Sequence, residues 1–162
     1  MATQKINHQG SLCKTGPLPD FNQSLPMALL RARESVMRKF MPALQAHGLS
    51  AQQWRVMRAL HEERAQDLST LAEVCYLLKP SLSRIIRNLE SRGLISRLVD
   101  PRDQRVSVVS ISPEGVRLFE TVLPYSELQY AHITNKFGAT KLQQLYELLE
   151  QLVADLDESD QE

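Results

Sequence analysis

A mainly α fold, with a compact helix–turn–helix and β-hairpin set between longer helices, is predicted by three observations. Apolar residues recur every three or four positions through most of the chain, which is the period of one helix face. That period gives way to β-branched, partly alternating runs in one place only, Leu94–Val99 and Val106–Ile111. The polar segment Asp100-Pro-Arg-Asp-Gln-Arg between those runs is a turn. Two strands joined by such a turn, directly after two short helices, have the layout of a winged helix-turn-helix.

The elements follow in order. Residues 1–23 hold Gly10, Gly16, Pro17 and Pro19 and few large apolar side chains, which predicts a flexible arm. Leu25, Leu29, Ala32, Val36, Phe40 and Leu44 then mark one face of a long helix. Pro26 suits its first turn, whereas Pro42 lies well inside and predicts a kink or break. Gly48 closes it, and Ser50 caps a second helix with Gln53 as capping-box partner. Asp67 or Ser69 caps a third, short helix that turns Leu68, Leu71, Ala72 and Cys75 inward. After a turn at 76–79, Pro80 starts a fourth helix that ends at Gly93.

Beyond the hairpin, Ser112-Pro-Glu opens another long helix, with Pro124 expected to bend it and Gly138 to end it. The last helix carries Leu142, Leu145, Leu149, Leu152 and Leu156, a three-four spacing that forms a heptad seam for a partner helix. The expected organisation is therefore a helical dimerisation region at 24–49 and 112–156, a winged unit at 50–111 and an acidic tail at 157–162.

Bulk properties narrow the function. No apolar run approaches the roughly 20 residues of a membrane span, and Met1–Gly16 lacks the apolar stretch of a signal peptide. A cytoplasmic location is the resulting expectation. The four histidines and two cysteines have no metal spacing, and no nucleophile–base pair or glycine-rich phosphate loop occurs. Neither an enzyme nor a metal or cofactor is expected. Cys75 sits among apolar residues and reads as a buried, inert thiol; oxidant sensing through it is the alternative.

The net charge is zero, but it is unevenly placed. Residues 79–106 carry seven basic and three acidic side chains, whereas residues 116–162 carry three basic and nine acidic ones. That asymmetry points one face at a polyanion. The fourth helix sharpens this. Leu82, Ile85, Ile86 and Leu89 share one side, leaving Ser81, Ser83, Arg84, Arg87, Asn88 and Ser91 outward. Arginine and asparagine hydrogen-bond base edges in a major groove, and short serines allow close approach. Arg102 and Arg105 on the hairpin tip suit a phosphate or minor-groove contact; their pairing with Asp100 and Asp103 is the structural alternative. A helical protein-interaction module that uses its leucine seam is the rival from another class, and it leaves the serine- and arginine-rich helix without a role.

Four runs, Leu68-Ser-Thr-Leu-Ala-Glu-Val, Ser81-Leu-Ser-Arg-Ile-Ile-Arg-Asn-Leu-Glu-Ser-Arg-Gly-Leu-Ile, Asp100-Pro-Arg-Asp-Gln-Arg and Ile111-Ser-Pro-Glu-Gly, resemble the MarR family of bacterial regulators. The resemblance covers roughly residues 24–156. It implies a homodimer of winged helix-turn-helix domains on a palindromic operator, dimerised through the first and last two helices. It also implies that Arg102 enters the minor groove while Asp100, Asp103 and Arg105 shape the tip. The arm before Ser24 departs from the pattern. The runs Leu25-Pro-Met-Ala-Leu-Leu-Arg-Ala-Arg-Glu and His47-Gly-Leu-Ser-Ala-Gln-Gln-Trp-Arg-Val are similar to regulators of homoprotocatechuate (3,4-dihydroxyphenylacetate) breakdown operons. This implies a repressor relieved by a small aromatic acid. Such a ligand requires an apolar slot and a cation. Arg33, beside the apolar stripe of the first helix, is the expected carboxylate partner, with His47, Gln53 and Trp54 supplying hydrogen bonds and an aromatic wall. The alternative is that Arg33 snorkels or crosses the dimer interface and that Trp54 is core.

Overall fold

The computed structural model describes residues 20–21, 24–99 and 107–159. Two compact units divide the chain, residues 1–38 and 39–162. The described part of the first is a short turn at Phe21 and the opening turns of helix α1 (Leu25–Ala46). Its large apolar side chains Leu25, Leu29, Leu30 and Val36 are exposed. Pro42 does not break α1, which stays helical to Ala46.

The second unit contains the end of α1, α2 (Ala51–Glu63), β1 (Ala65–Asp67), α3 (Leu68–Val74), α4 (Lys79–Ser91), β2 (Ile95–Val99), β3 (Ser107–Ile111), α5 (Pro113–Phe137) and α6 (Ala139–Ser159). Four of the helix starts have a local cause. Ser50 caps α2 in a complete capping box with Gln53, as the sequence predicts. Asp67 caps α3 by accepting from the Ser69 and Thr70 amides, which settles the choice between Asp67 and Ser69. The Thr70 hydroxyl bond, and then these amides, hold the Asp67 carboxyl below its ordinary range. Ser112 caps α5, with Pro113 in its first turn, and α5 stays continuous through Pro124. One residue earlier than expected, α4 begins at Lys79, and Pro80 occupies its first turn.

The strands form a three-stranded antiparallel sheet in the order β1-β3-β2. The hairpin register sets Arg97 opposite Val109 and Leu98 opposite Val108. The third strand, β1, is an addition to the sequence expectation: at three residues, Ala65-Gln-Asp, it is too short to show a period. Its pairing with β3 ties the start of α3 to the wing. Met57 and Leu60 from α2, Leu71 from α3, Leu82, Ile86 and Leu89 from α4 and Val109 from β3 are almost wholly buried. The core of the unit therefore lies behind α4 and holds that helix by one face.

Gly115 marks the joint between wing and α5. The Ser112 hydroxyl donates to the Gly93 carbonyl, and the Ser112 amide donates to the Leu94 carbonyl. A Cβ on Gly115 would collide with the Leu94 carbonyl oxygen and sit 2.8 Å from Ile111 Cγ1. Backbone cannot yield as a flexible side chain can, so Gly115→Ala is expected to destabilise the protein by about 1–3 kcal/mol in urea unfolding. Stability equal to that of the parent would show that this joint is loosely packed.

Candidate nucleic-acid interface and aromatic pocket

Helix α4 presents two faces. Leu82, Ile85, Ile86 and Leu89 are buried, at spacings of three, one and three residues. On the other side Ser83, Arg84, Arg87 and Asn88 are exposed, and Ser81 is half-buried. Five of the seven expected nucleic-acid contacts thus share one helix, four of them in the open. Arg87 Nε donates to the Ser83 carbonyl at 3.3 Å, which lays the guanidinium along the helix surface. Asn88 Oδ1 accepts from Gln53 Nε2 at 2.6 Å. The remaining two expected contacts, Arg102 and Arg105, lie outside the described residues, as do Asp100 and Asp103.

Arg92 belongs to the same basic stretch but is used differently. Its guanidinium donates to the Gly48 carbonyl at 2.9 Å and to the His47 carbonyl at 3.4 Å. It joins the end of α4 to the loop before α2, satisfying two loop carbonyls just beyond α1. At the front of the helix-turn-helix, Arg55 Nη1 donates to the Cys75 carbonyl at 2.7 Å. Cys75 is buried, and burial pushes its thiol above the usual range even with Arg55 nearby. A poor thiolate in a closed site is unsuited to sensing oxidants.

A second feature lies between α2 and α5. Phe119 stacks with Trp54 at 4.8 Å between ring centroids and with His61 at 4.0 Å. Beside this stack opens a 320 Å³ cavity lined by Trp54, Arg58, His61, Glu62, Phe119, Leu123, Ser126, Glu127 and Tyr130. Its volume is at the small end of the range for small-molecule sites, roughly 300–1,000 Å³. Arg58 supplies a cation. Its Nη1 donates to the Tyr130 hydroxyl at 3.2 Å, and its Nε to Glu62 at 3.2 Å. The Tyr130 bond, and then Glu62, raise the guanidinium pKa further above its usual value. Tyr130 in turn packs edge-on against Phe40 at 5.0 Å.

The four expected ligand residues are placed as follows. Trp54 is buried and lines this cavity. Gln53, one residue earlier, faces Ser50 and Asn88 instead. His47 is half-buried and tilted against Tyr125 at 6.2 Å. Arg33, in the first unit, is exposed and pairs with Glu34 at 2.6 Å. Arg58, His61, Phe119 and Tyr130 are additions to the sequence expectation. Arg58 had a legible signal, because it stands four residues from Trp54 and so shares its helix face.

The chain has clear relatives. Residues 49–107 match the MarR family model. The homoprotocatechuate degradative operon repressor of Escherichia coli is 40% identical over 133 residues, 82% of this chain and 90% of that protein. The HTH-type transcriptional regulator FarR of Neisseria gonorrhoeae is 34% identical over 136 residues, 84% of this chain and 93% of its own. Among solved structures, NadR in complex with 4-hydroxyphenylacetate is 34% identical, with a TM-score of 0.71 over 85% of this chain and 97% of NadR. These relatives are regulators and not enzymes. No helix among the described residues is long and apolar enough to cross a membrane. With its two-faced α4 held between α2, α3 and a β-hairpin, and with a repressor as a relative across most of its length, the chain belongs to the MarR family of winged-helix transcriptional regulators.

Proposed function

We propose that this repressor acts as a homodimer on a palindromic operator of an aromatic-acid catabolic operon, and that a small aromatic carboxylic acid releases it. The observation that carries the DNA reading is the outer face of α4, where Ser83, Arg84, Arg87 and Asn88 stand exposed on a helix anchored by four buried side chains. Two such helices spaced about 34 Å apart would enter successive major grooves. The dimer reading is supported by α6, where Leu145 and Leu156 are exposed and Leu142, Leu149 and Leu152 only half-buried. A seam of this kind is covered by a partner helix.

The cavity beside Phe119 supports the effector reading. Flat aromatic walls suit a phenyl ring, and Arg58 suits its carboxylate. The carboxylate takes the place of Glu62, whose bond to Arg58 is solvent-exposed and therefore weak. The relatives favour a hydroxyphenylacetate, since one represses a homoprotocatechuate operon and another is solved with 4-hydroxyphenylacetate. Because α2 and α5 enclose the cavity while α2 also packs on α4, an acid that binds best to one arrangement of these helices shifts the population toward it.

The test is binding to a duplex from the protein's own upstream region across salt concentrations, with and without 3,4-dihydroxyphenylacetate and 4-hydroxyphenylacetate. Specific binding that weakens steeply with salt and is released by either acid is the expected result. Specific binding indifferent to both acids removes the effector assignment and keeps the repressor. Absence of specific binding at low salt removes the operator reading.

A further inference from the structure

The capping box of α2 does more than start a helix. Its polarity is set by backbone, because the Ser50 amide can only donate. It donates to Gln53 Oε1 at 2.7 Å. The Gln53 side chain therefore has its oxygen committed, and its Nε2 donates onward to Asn88 Oδ1 at 2.6 Å. Asn88 thus turns its carbonyl oxygen inward and leaves its Nδ2 donors for the exposed face of α4. Each step follows from the previous one, since an amide group has one accepting and one donating end. An asparagine without such a partner flips freely and offers either end. The two-pronged asparagine–adenine contact uses both ends at once, the oxygen accepting from N6 and the nitrogen donating to N7.

We propose that Gln53 is a positioning residue that presets Asn88 as a hydrogen-bond donor toward DNA, so that Asn88 selects an acceptor. That acceptor is a base-edge atom such as guanine O6 or N7 or thymine O4, or else a phosphate oxygen. The inference rests on the operator-binding reading above. Gln53 itself touches no DNA; it acts through Asn88, and Ser50 supplies the polarity.

The informative variant is Gln53→Glu. Glutamate accepts from the Ser50 amide as well as glutamine does, so the cap and the fold persist. Its second oxygen, however, can only accept. Asn88 then turns its Nδ2 inward and presents its oxygen to DNA, where the acceptor repels it. Operator affinity is expected to fall about tenfold to a hundredfold, because one polar contact is lost in each half-site of the dimer. Added negative charge near DNA would also weaken binding, and a double-mutant cycle with Asn88→Ala separates the two effects. In the Asn88→Ala background the Gln53→Glu loss shrinks to the charge effect alone. An equal loss in both backgrounds overturns the proposal.

Selection from randomised duplexes distinguishes the two acceptors. A changed preference at one operator position identifies a base edge, and a uniform loss over all duplexes identifies a phosphate. Unchanged affinity and unchanged preference overturn the proposal. A readout without DNA keeps the inference apart from the reading it rests on. The Gln53 side-chain amide protons are expected to exchange slowly in NMR spectra and to lose that protection in Asn88→Ala. Exchange at the rate of a free amide in the parent protein overturns the relay even where operator binding is intact.

Discussion

Arg58→Ala is expected to weaken binding of an aromatic acid by about tenfold to a hundredfold, while the apoprotein still binds operator. The range follows from the worth of a hydrogen-bonded charge pair, about 1.5–3 kcal/mol, at 1.4 kcal/mol per factor of ten. Arg58 is half-exposed on the wall of the cavity, and its present partners are Tyr130 and Glu62. Removing it takes away the cation and leaves Trp54 and Phe119 in place. Apolar contact with the cavity wall then persists without an anchor for the carboxylate, so the acid binds weakly and without orientation. Titration calorimetry with 4-hydroxyphenylacetate measures this directly, and Arg33→Ala is the companion variant. Arg33 pairs with its neighbour Glu34 on the exposed surface of α1, an arrangement worth little to stability. Its loss is expected to change acid binding less than the loss of Arg58. The reverse order would move the carboxylate to Arg33 and leave the cavity with another purpose.

The sequence carried the elements more fully than the pocket, and the reason is physical. Helices α2, α4 and α5 declare themselves through local signals, namely the Ser50–Gln53 box, Pro80 in a first turn, and Ser112-Pro113. Each signal acts within one helical turn and needs no knowledge of the rest of the chain. The two faces of α4 were legible for the same reason, since a period of three to four residues is written along the helix. The cavity is different. It joins Trp54, Arg58 and His61 to Phe119 and Tyr130, more than 50 positions away in the chain, through packing of α2 on α5. No local rule pairs those segments. Gln53 shows the same limit within one residue. Its capping role was readable from its distance to Ser50, whereas its bond to Asn88, 35 residues on, required the fold. The strand β1 was hidden for yet another reason: three residues cannot display alternation, and only pairing with β3 makes them a strand.

The largest loss of operator binding is expected from the arginines of α4. Arg84 and Arg87 are both exposed, on the face opposite Leu82 and Leu89. Truncating either removes no buried contact, so stability should change by less than about 0.5 kcal/mol. On DNA the cost is larger. A good arginine–guanine pair is worth about 1–3 kcal/mol, and a homodimer loses it once in each half-site. Two losses near the lower part of that range already amount to about a hundredfold in affinity. The salt dependence separates the two arginines. An arginine that neutralises a phosphate releases counterion, so its removal from both protomers lowers the slope of log affinity against log salt by about 2. One that reads a base changes sequence preference instead. Arg87 lies along the helix through its bond to the Ser83 carbonyl and is the one expected to meet the backbone at the groove edge. Arg84 makes no such bond among the described residues and is the one expected to reach the base edges. Arg87→Ala should accordingly flatten the salt dependence on every duplex, and Arg84→Ala should relax preference at one position in each half-site. Operator affinity within a factor of two of the parent for both variants would place the DNA contact off this helix and return α4 to an ordinary solvated surface.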